Sequence, residues 1–271
     1  MKKIVLLPFL SCLIIASNVL AANAKWKPKY QEMKLTDALA SKNSSGPEIS
    51  NLEKAFSLKS KDKAHIKKLK NTVLTQGNKS VPTLIKVMKS DNFPEHKRWT
   101  ATFLLGRIMG DKAAPFIAKF AQHPNWMMRL ASIKTLTAMK NKKYLKVYAA
   151  ALKDKALIVR SQGLDTIKAL GINKLAPSVW SMMYDKRNYK PQAGKNKRDD
   201  IIRKIIKTVG DLNFKAAQKP LLKMASSKKF TDVFNELDYS LRILSGKKSP
   251  KGGVGKKRYF WKRVALSKTL I

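Results

Sequence analysis

Apolar residues in this chain return at helical spacing, and between residues 81 and 171 they do so in one arrangement written three times. Each copy has a short apolar stretch, a break, and a longer run opened by an arginine. The longer runs are RWTATFLLGRIMG from Arg98, RLASIKTLTAMK from Arg129 and RSQGLDTIKALG from Arg160, which sets a period of 31 residues. Behind the arginines stand Ala101, Leu105 and Ile108, then Ile133, Leu136 and Met139, then Leu164, Ile167 and Leu170. Such stripes suit helices buried along one side. A unit repeated at this period buries its apolar face on its neighbours, so the pattern predicts stacked helical hairpins. The sequence has no Asn-Gly turn and no sustained period-two run, so it offers no signal for a sheet.

The elements follow in order. A short helix at 81–89, headed by Pro82, precedes a longer one at 95–109 stopped by Gly110. The next pair is 112–122, with Pro115, and 125–140. The third is 142–153 and 156–170, closed by Gly171. A fourth pair, 174–184 with Pro177 and 198–209 before Gly210, is split by a polar insertion at 185–197. A fifth pair is 214–226, with Pro220, and 231–245 before Gly246. Upstream, helices at 50–58 (Leu52, Phe56) and 62–76 (Ile66, Leu69, Val73) cap the stack. Downstream, 247–257 is a Gly/Lys-rich connector and 259–270 a final helix. Proline early in a helix loses no hydrogen bond, and glycine accepts the turn that ends one.

The prolines, turn aspartates and arginines together resemble the HEAT-like repeat family, including the HEAT repeats of bilin-lyase-type proteins. Pro115 precedes Arg129 by 14 residues, Asp154 leads to Val159-Arg160, and Asp185 falls 8 residues after Pro177. The departures are His123 in place of a turn aspartate, Lys146 in place of a proline, and Phe234 in place of an arginine. The resemblance covers residues 78–246 and implies an all-α fold, an α-solenoid of about five to six helix pairs. It also implies that Arg98, Arg129, Arg160 and Arg198 form a structural ladder, with Asp154 and Asp185 as partners. A repeat fold of this kind says little about function.

Charge changes the picture more than length does. The 271 residues carry 57 Lys+Arg against 17 Asp+Glu, a formal +40. Charge of that size attracts polyanions. The N-terminus reads as an export signal: Lys2 and Lys3, an apolar Ile4–Leu20 stretch, and Ala22-Asn23-Ala24 as a small-x-small cleavage site. The apolar run approaches the length of a membrane span, but Pro8, Ser11, Ser17 and Asn18 interrupt it. Cys12, the single cysteine, lies inside this segment, so the mature chain has no disulfide, thiolate nucleophile or cysteine metal site. The expected organisation is a signal peptide at 1–24, a lead-in and linker at 25–49, the solenoid at 50–246, and a basic connector with a capping helix at 247–271. The location is periplasmic or extracellular.

No catalytic constellation is visible. His65, His96 and His123 lack the spacing and carboxylates of a metal or general-base site, and Glu95-His96 falls in a turn. Asp199-Asp200 and Glu236/Asp238 are too close in a helix to face each other. Gly252–Lys257 fails as a phosphate loop, because Pro250 and Lys257 occupy the positions that need glycine and Ser/Thr. The sequence calls for no cofactor and no metal. Two basic patches with aromatics remain as candidate binding residues: Lys186, Arg187, Tyr189, Lys190, Lys195 and Lys197 in the insertion, and Lys256, Lys257, Arg258, Tyr259, Trp261, Lys262 and Arg263 near the C-terminus. The expectation is a non-catalytic binding module or scaffold whose partner is a protein or an anionic envelope polymer. The alternative, raised by the resemblance of some basic DNA glycosylases to HEAT arrays, is nucleic-acid binding.

Overall fold

The computed structural model describes residues 47–189 and 200–267, and the side chains from residue 51 onward within them; these residues lie in one compact unit, Ser41–Ile271. The signal peptide, most of the lead-in, and the insertion residues Lys190, Lys195, Lys197 and Arg198 lie outside the described residues.

The described chain is helical throughout, and its helices form an α-solenoid of hairpins. The first hairpin is α1 (Pro47–Ser57) and α2 (Lys63–Gln76). It is followed by α3 (Val81–Lys89) and α4 (Glu95–Met109), then α5 (Ala114–Lys119) and α6 (Trp126–Ala138). Next come α7 (Leu145–Ala151) with α8 (Leu157–Leu170), and α9 (Ala176–Ser181) with α10 (Asp200–Asp211). The last hairpin is α11 (Gln218–Ser226) and α12 (Phe234–Ser245), and α13 (Val254–Ser267) follows it.

The second helices make the spine. α2, α4, α6, α8, α10 and α12 pack each on the next, while each first helix packs on its own second helix. α13 lies on α11 as α3 lies on α1, so it takes the place of one more first helix. The apolar stripes fill the space between the layers: Ala101, Leu105, Leu136, Leu164 and Ile167 have no exposure at all. Pro82, Pro115 and Pro177 sit at the first or second residue of α3, α5 and α9, where their missing N–H would have had no partner.

Several boundaries differ from the sequence reading. The first helices are shorter: α5 tightens into a 3₁₀ turn at Phe120–Gln122, and α9 is flanked by 3₁₀ turns on both sides. Such turns satisfy end groups where proline starts and polar stops leave little room. The expected C-terminal connector is partly helix, because α13 begins at Val254 and includes Lys256 and Lys257. Glu95 and His96 are in the first turn of α4 rather than in a loop; His96 Nε2 lies 3.2 Å from the Ser60 carbonyl.

Gly210 does not end α10. It is buried inside the helix, where an added Cβ would meet Ser240 Oγ at 2.5 Å and Ser240 Cα at 2.8 Å. The glycine lets α10 and α12 touch backbone to backbone, and Ser240 Oγ donates to the Ile206 carbonyl at 2.7 Å. Gly171 and Gly246 do end helices, both in the left-handed conformation that glycine adopts freely.

Candidate binding surface

The repeated arginines lie between the layers and are nearly buried: Arg98 is 3%, Arg129 6% and Arg160 3% exposed. Arg129 and Arg160 each bind carbonyls of their own hairpin turn and one side chain from the turn of the next hairpin. Arg129 donates to the carbonyls of His123 and Pro124, and its Nε and Nη2 each meet an Asp154 oxygen at 2.7 Å. Asp154 Oδ1 also accepts the Ala156 N–H at 2.8 Å, which fixes the turn. Arg160 donates to the carbonyls of Asp154 and Lys155, and from Nε to Asn188 Oδ1 at 2.8 Å. Asp185 is clasped instead by Arg187, whose hydrogen bonds hold its carboxyl below the ordinary value. The buried Asn188 fills the gap between Arg160 and the Met182 carbonyl.

Arg98 completes the ladder through different partners. It donates to the Met88 carbonyl, pairs with Asp91, and points Nη2 at His123 Nε2 3.2 Å away. His123 Nδ1 accepts the Asn125 N–H at 3.0 Å, as Asp154 accepts that of Ala156. A neutral imidazole has one acceptor nitrogen, so it can accept from the Asn125 N–H or from Arg98 but not from both, whereas the Asp154 carboxylate accepts from Arg129 and from Ala156 together. Burial and the Arg98 charge push the His123 pKa down.

Arginines of one hairpin set against the turn of the next, at a separation of 25 residues for both Arg98–His123 and Arg129–Asp154, are the joints of a stacked repeat. Residues 81–177 match the sequence model of the HEAT-repeat family. That segment carries HEAT repeats. HEAT repeats usually mediate protein interactions and are typically non-catalytic scaffolds. Comparison with curated proteins returned no match.

The stack also holds a unit without its own arginine. Phe234 stands at that position in α12, and Arg258 from α13 reaches over it, 5.0 Å from the ring centroid. Arg258 donates to the carbonyls of Ala225 and Ser227 at the end of α11 and to Thr231 Oγ1. A guanidinium from the final helix thus serves the turn that Phe234 cannot.

Two further candidate binding residues of α13 also point inward. Trp261 is fully buried and donates from Nε1 to Asp238 at 2.8 Å, and Lys257 Nζ meets the other Asp238 oxygen at 2.9 Å. Burial pushes the Asp238 carboxyl up, but hydrogen bonds from Ser249, Lys257 and Trp261 outweigh it and hold it low. Arg187, offered by sequence as a binding residue, is turned back on Asp185 and on the carbonyls of Lys153 and Asp154. Tyr189 donates its hydroxyl to the Met183 carbonyl. These side chains hold the fold together because carboxylates and open carbonyls at hairpin ends are their nearest acceptors. Lys186, Lys256, Tyr259, Lys262 and Arg263 face outward.

Toward the C-terminal end the layers differ in charge: α11 and α13 carry seven cations and no carboxylate, while α8, α10 and α12 carry six cations and five carboxylates. Among the first helices α1 carries Glu48 and Glu53, the latter paired with Lys86 of α3, and none of α3, α5, α7, α9, α11 and α13 contains an Asp or Glu. The remaining carboxylates of the described residues fall on second helices and turns, where many are engaged. Asp165 binds Lys204, Asp211 binds Lys168 and the Tyr239 hydroxyl, and Glu236 binds Arg203. The second-helix face is therefore closed by ion pairs toward its C-terminal end, and Lys134 lies over the Trp99 ring nearer the start. Exposed lysines such as Lys146, Lys174, Lys219, Lys256 and Lys262 belong to the first-helix layer.

Lys97 was not singled out in sequence. It is fully buried, its ammonium has no hydrogen-bond partner among the described residues, and burial lowers its pKa. The signal was present: the 31-residue register aligns Lys97 with Met128 and Val159, both core residues. No described group of three or more His, Cys, Asp or Glu is arranged to hold a metal, and no described helix is long and apolar enough to cross a membrane.

Proposed function

We propose that the protein is an exported, non-catalytic HEAT-repeat scaffold whose basic first-helix layer engages an anionic envelope component or an acidic protein surface. The observation that carries this reading is the C-terminal end of the first-helix layer, where α11 and α13 carry seven cations and no carboxylate beside α8, α10 and α12, whose six cations are matched by five carboxylates. A one-signed face on a rigid scaffold raises the local concentration of anionic partners and speeds their encounter. Both candidate patches from the sequence contribute less than their composition suggested, since Arg187, Lys257, Arg258 and Trp261 are used internally.

The test is retention of the full chain on immobilised poly-glutamate and on polyphosphate, across a salt gradient. Retention should fall steeply with salt. It should also fall when Lys146, Lys174, Lys219, Lys256 and Lys262 are changed to Gln. Retention that survives both treatments overturns the reading. Export is tested separately by mass spectrometry of the mature N-terminus, which should begin after Ala24; an intact Met1 would reject it.

A further inference from the structure

The most exposed large apolar side chains of the described residues lie in the same layer as the unneutralised lysines. Tyr259 is 65%, Tyr184 61% and Leu266 59% exposed. Tyr259 and Leu266 are on α13, and Tyr184 closes the 3₁₀ turn that continues α9. On α13 the inward side is fixed by Trp261 and Val264. Residues 259, 263 and 266 recur at helical spacing on the opposite side, so Tyr259, Arg263 and Leu266 form its outermost line, with Lys256 and Lys262 beside it. α13 packs on α11, and Tyr184 belongs to the hairpin before that of α11, so the exposed side chains come from first-layer elements of two different units.

We infer that this layer docks on an anionic lipid bilayer, with Tyr184, Tyr259 and Leu266 entering the headgroup region and the surrounding cations meeting lipid phosphates. The inference rests on the proposed reading of the basic first-helix face and names its partner. An apolar side chain at the apex of a basic helix suits a bilayer interface, where tyrosine and leucine reach past the headgroups while lysine and arginine stay among them. Duplex nucleic acid offers phosphates to the lysines but no apolar phase for Leu266, and an acidic protein surface would leave the two tyrosines against charge. Charge and apolar insertion act together, since neither is strong alone.

The experiment is flotation of the full chain with vesicles of phosphatidylcholine alone and of an equal mixture with phosphatidylglycerol. Binding is expected to the mixed vesicles only. The triple variant Tyr184→Ser, Tyr259→Ser, Leu266→Ser should bind them on the order of 100-fold more weakly, with an unchanged melting curve because all three side chains are exposed. The triple variant should keep its retention on polyphosphate, which reads the charge alone. Undiminished flotation of the variant, equal binding to neutral vesicles, or capture by duplex DNA without flotation overturns the inference. Loss of polyphosphate retention by the lysine variants remains a test of the broader reading, so the two can fail separately.

Discussion

Replacing Lys97 by methionine should stabilise the protein. Lys97 is on α4 with no exposure and no partner for its ammonium, at a register position occupied elsewhere by Met128 and Val159, which are 1% and 0% exposed. Burying a polar group without a compensating hydrogen bond costs about 1–3 kcal/mol on the scale of protein mutational data. Methionine keeps nearly the same volume and flexibility, so the repacking cost is small. The expected gain is about 1–3 kcal/mol at neutral pH, or about 2–4 °C of melting temperature per kcal/mol for a unit of this size. The pH dependence supplies the sharper check. Burial lowers the Lys97 pKa from its ordinary value of 10.5, so between the two values the folded chain holds fewer protons than the unfolded one. Wild-type stability therefore rises with pH across that window, and the advantage of Lys97→Met narrows as pH approaches 10.5. Urea unfolding followed by circular dichroism at several pH values measures this. A less stable variant, or a gain that does not shrink toward alkaline pH, would refute the desolvation argument.

Three other perturbations test the joints of the stack. Gly210→Ala should gain about 1 kcal/mol in helix propensity and lose about 3 kcal/mol to overpacking against Ser240, for a net loss of about 2 kcal/mol in thermal unfolding. Adding Ser240→Gly should restore only part of that loss, because Ser240 Cα would still lie 2.8 Å from the new Cβ and the Ile206 bond would be gone. His123→Asp should place a carboxylate against Arg98 and stabilise by about 1.5–3 kcal/mol. The wild-type chain, with the His123 pKa pushed below 6.5, should lose stability as pH falls through the window beneath 6.5, and the Asp variant should not show that loss there. Trp261→Ala should cost about 3–5 kcal/mol and loosen α13 first, read as faster amide exchange in 254–267 than in α4 or α6.

Local spacing accounts for what the sequence alone determined. The 31-residue period, the buried stripes and the bounds 81–89 and 95–109 were all legible, because helix formation depends on neighbours three and four positions away. Prolines at helix starts and the glycines at 171 and 246 were equally legible, since φ restrictions act within one or two residues. Gly210 escaped this logic: its role is set by Ser240 on another helix. The same is true of Arg258, which serves the Phe234 unit from α13, and of Asn188, which meets Arg160 while Arg187 takes Asp185. Composition marked Lys257, Arg258 and Trp261 as a binding patch, yet only the packing of α13 onto α11 could show them turned toward Asp238 and the α11 carbonyls. A sequence records how many cations a chain has. Which of them find acceptors is decided by the hairpin ends that folding brings within about 3 Å of them, and the remainder define the surface a partner meets.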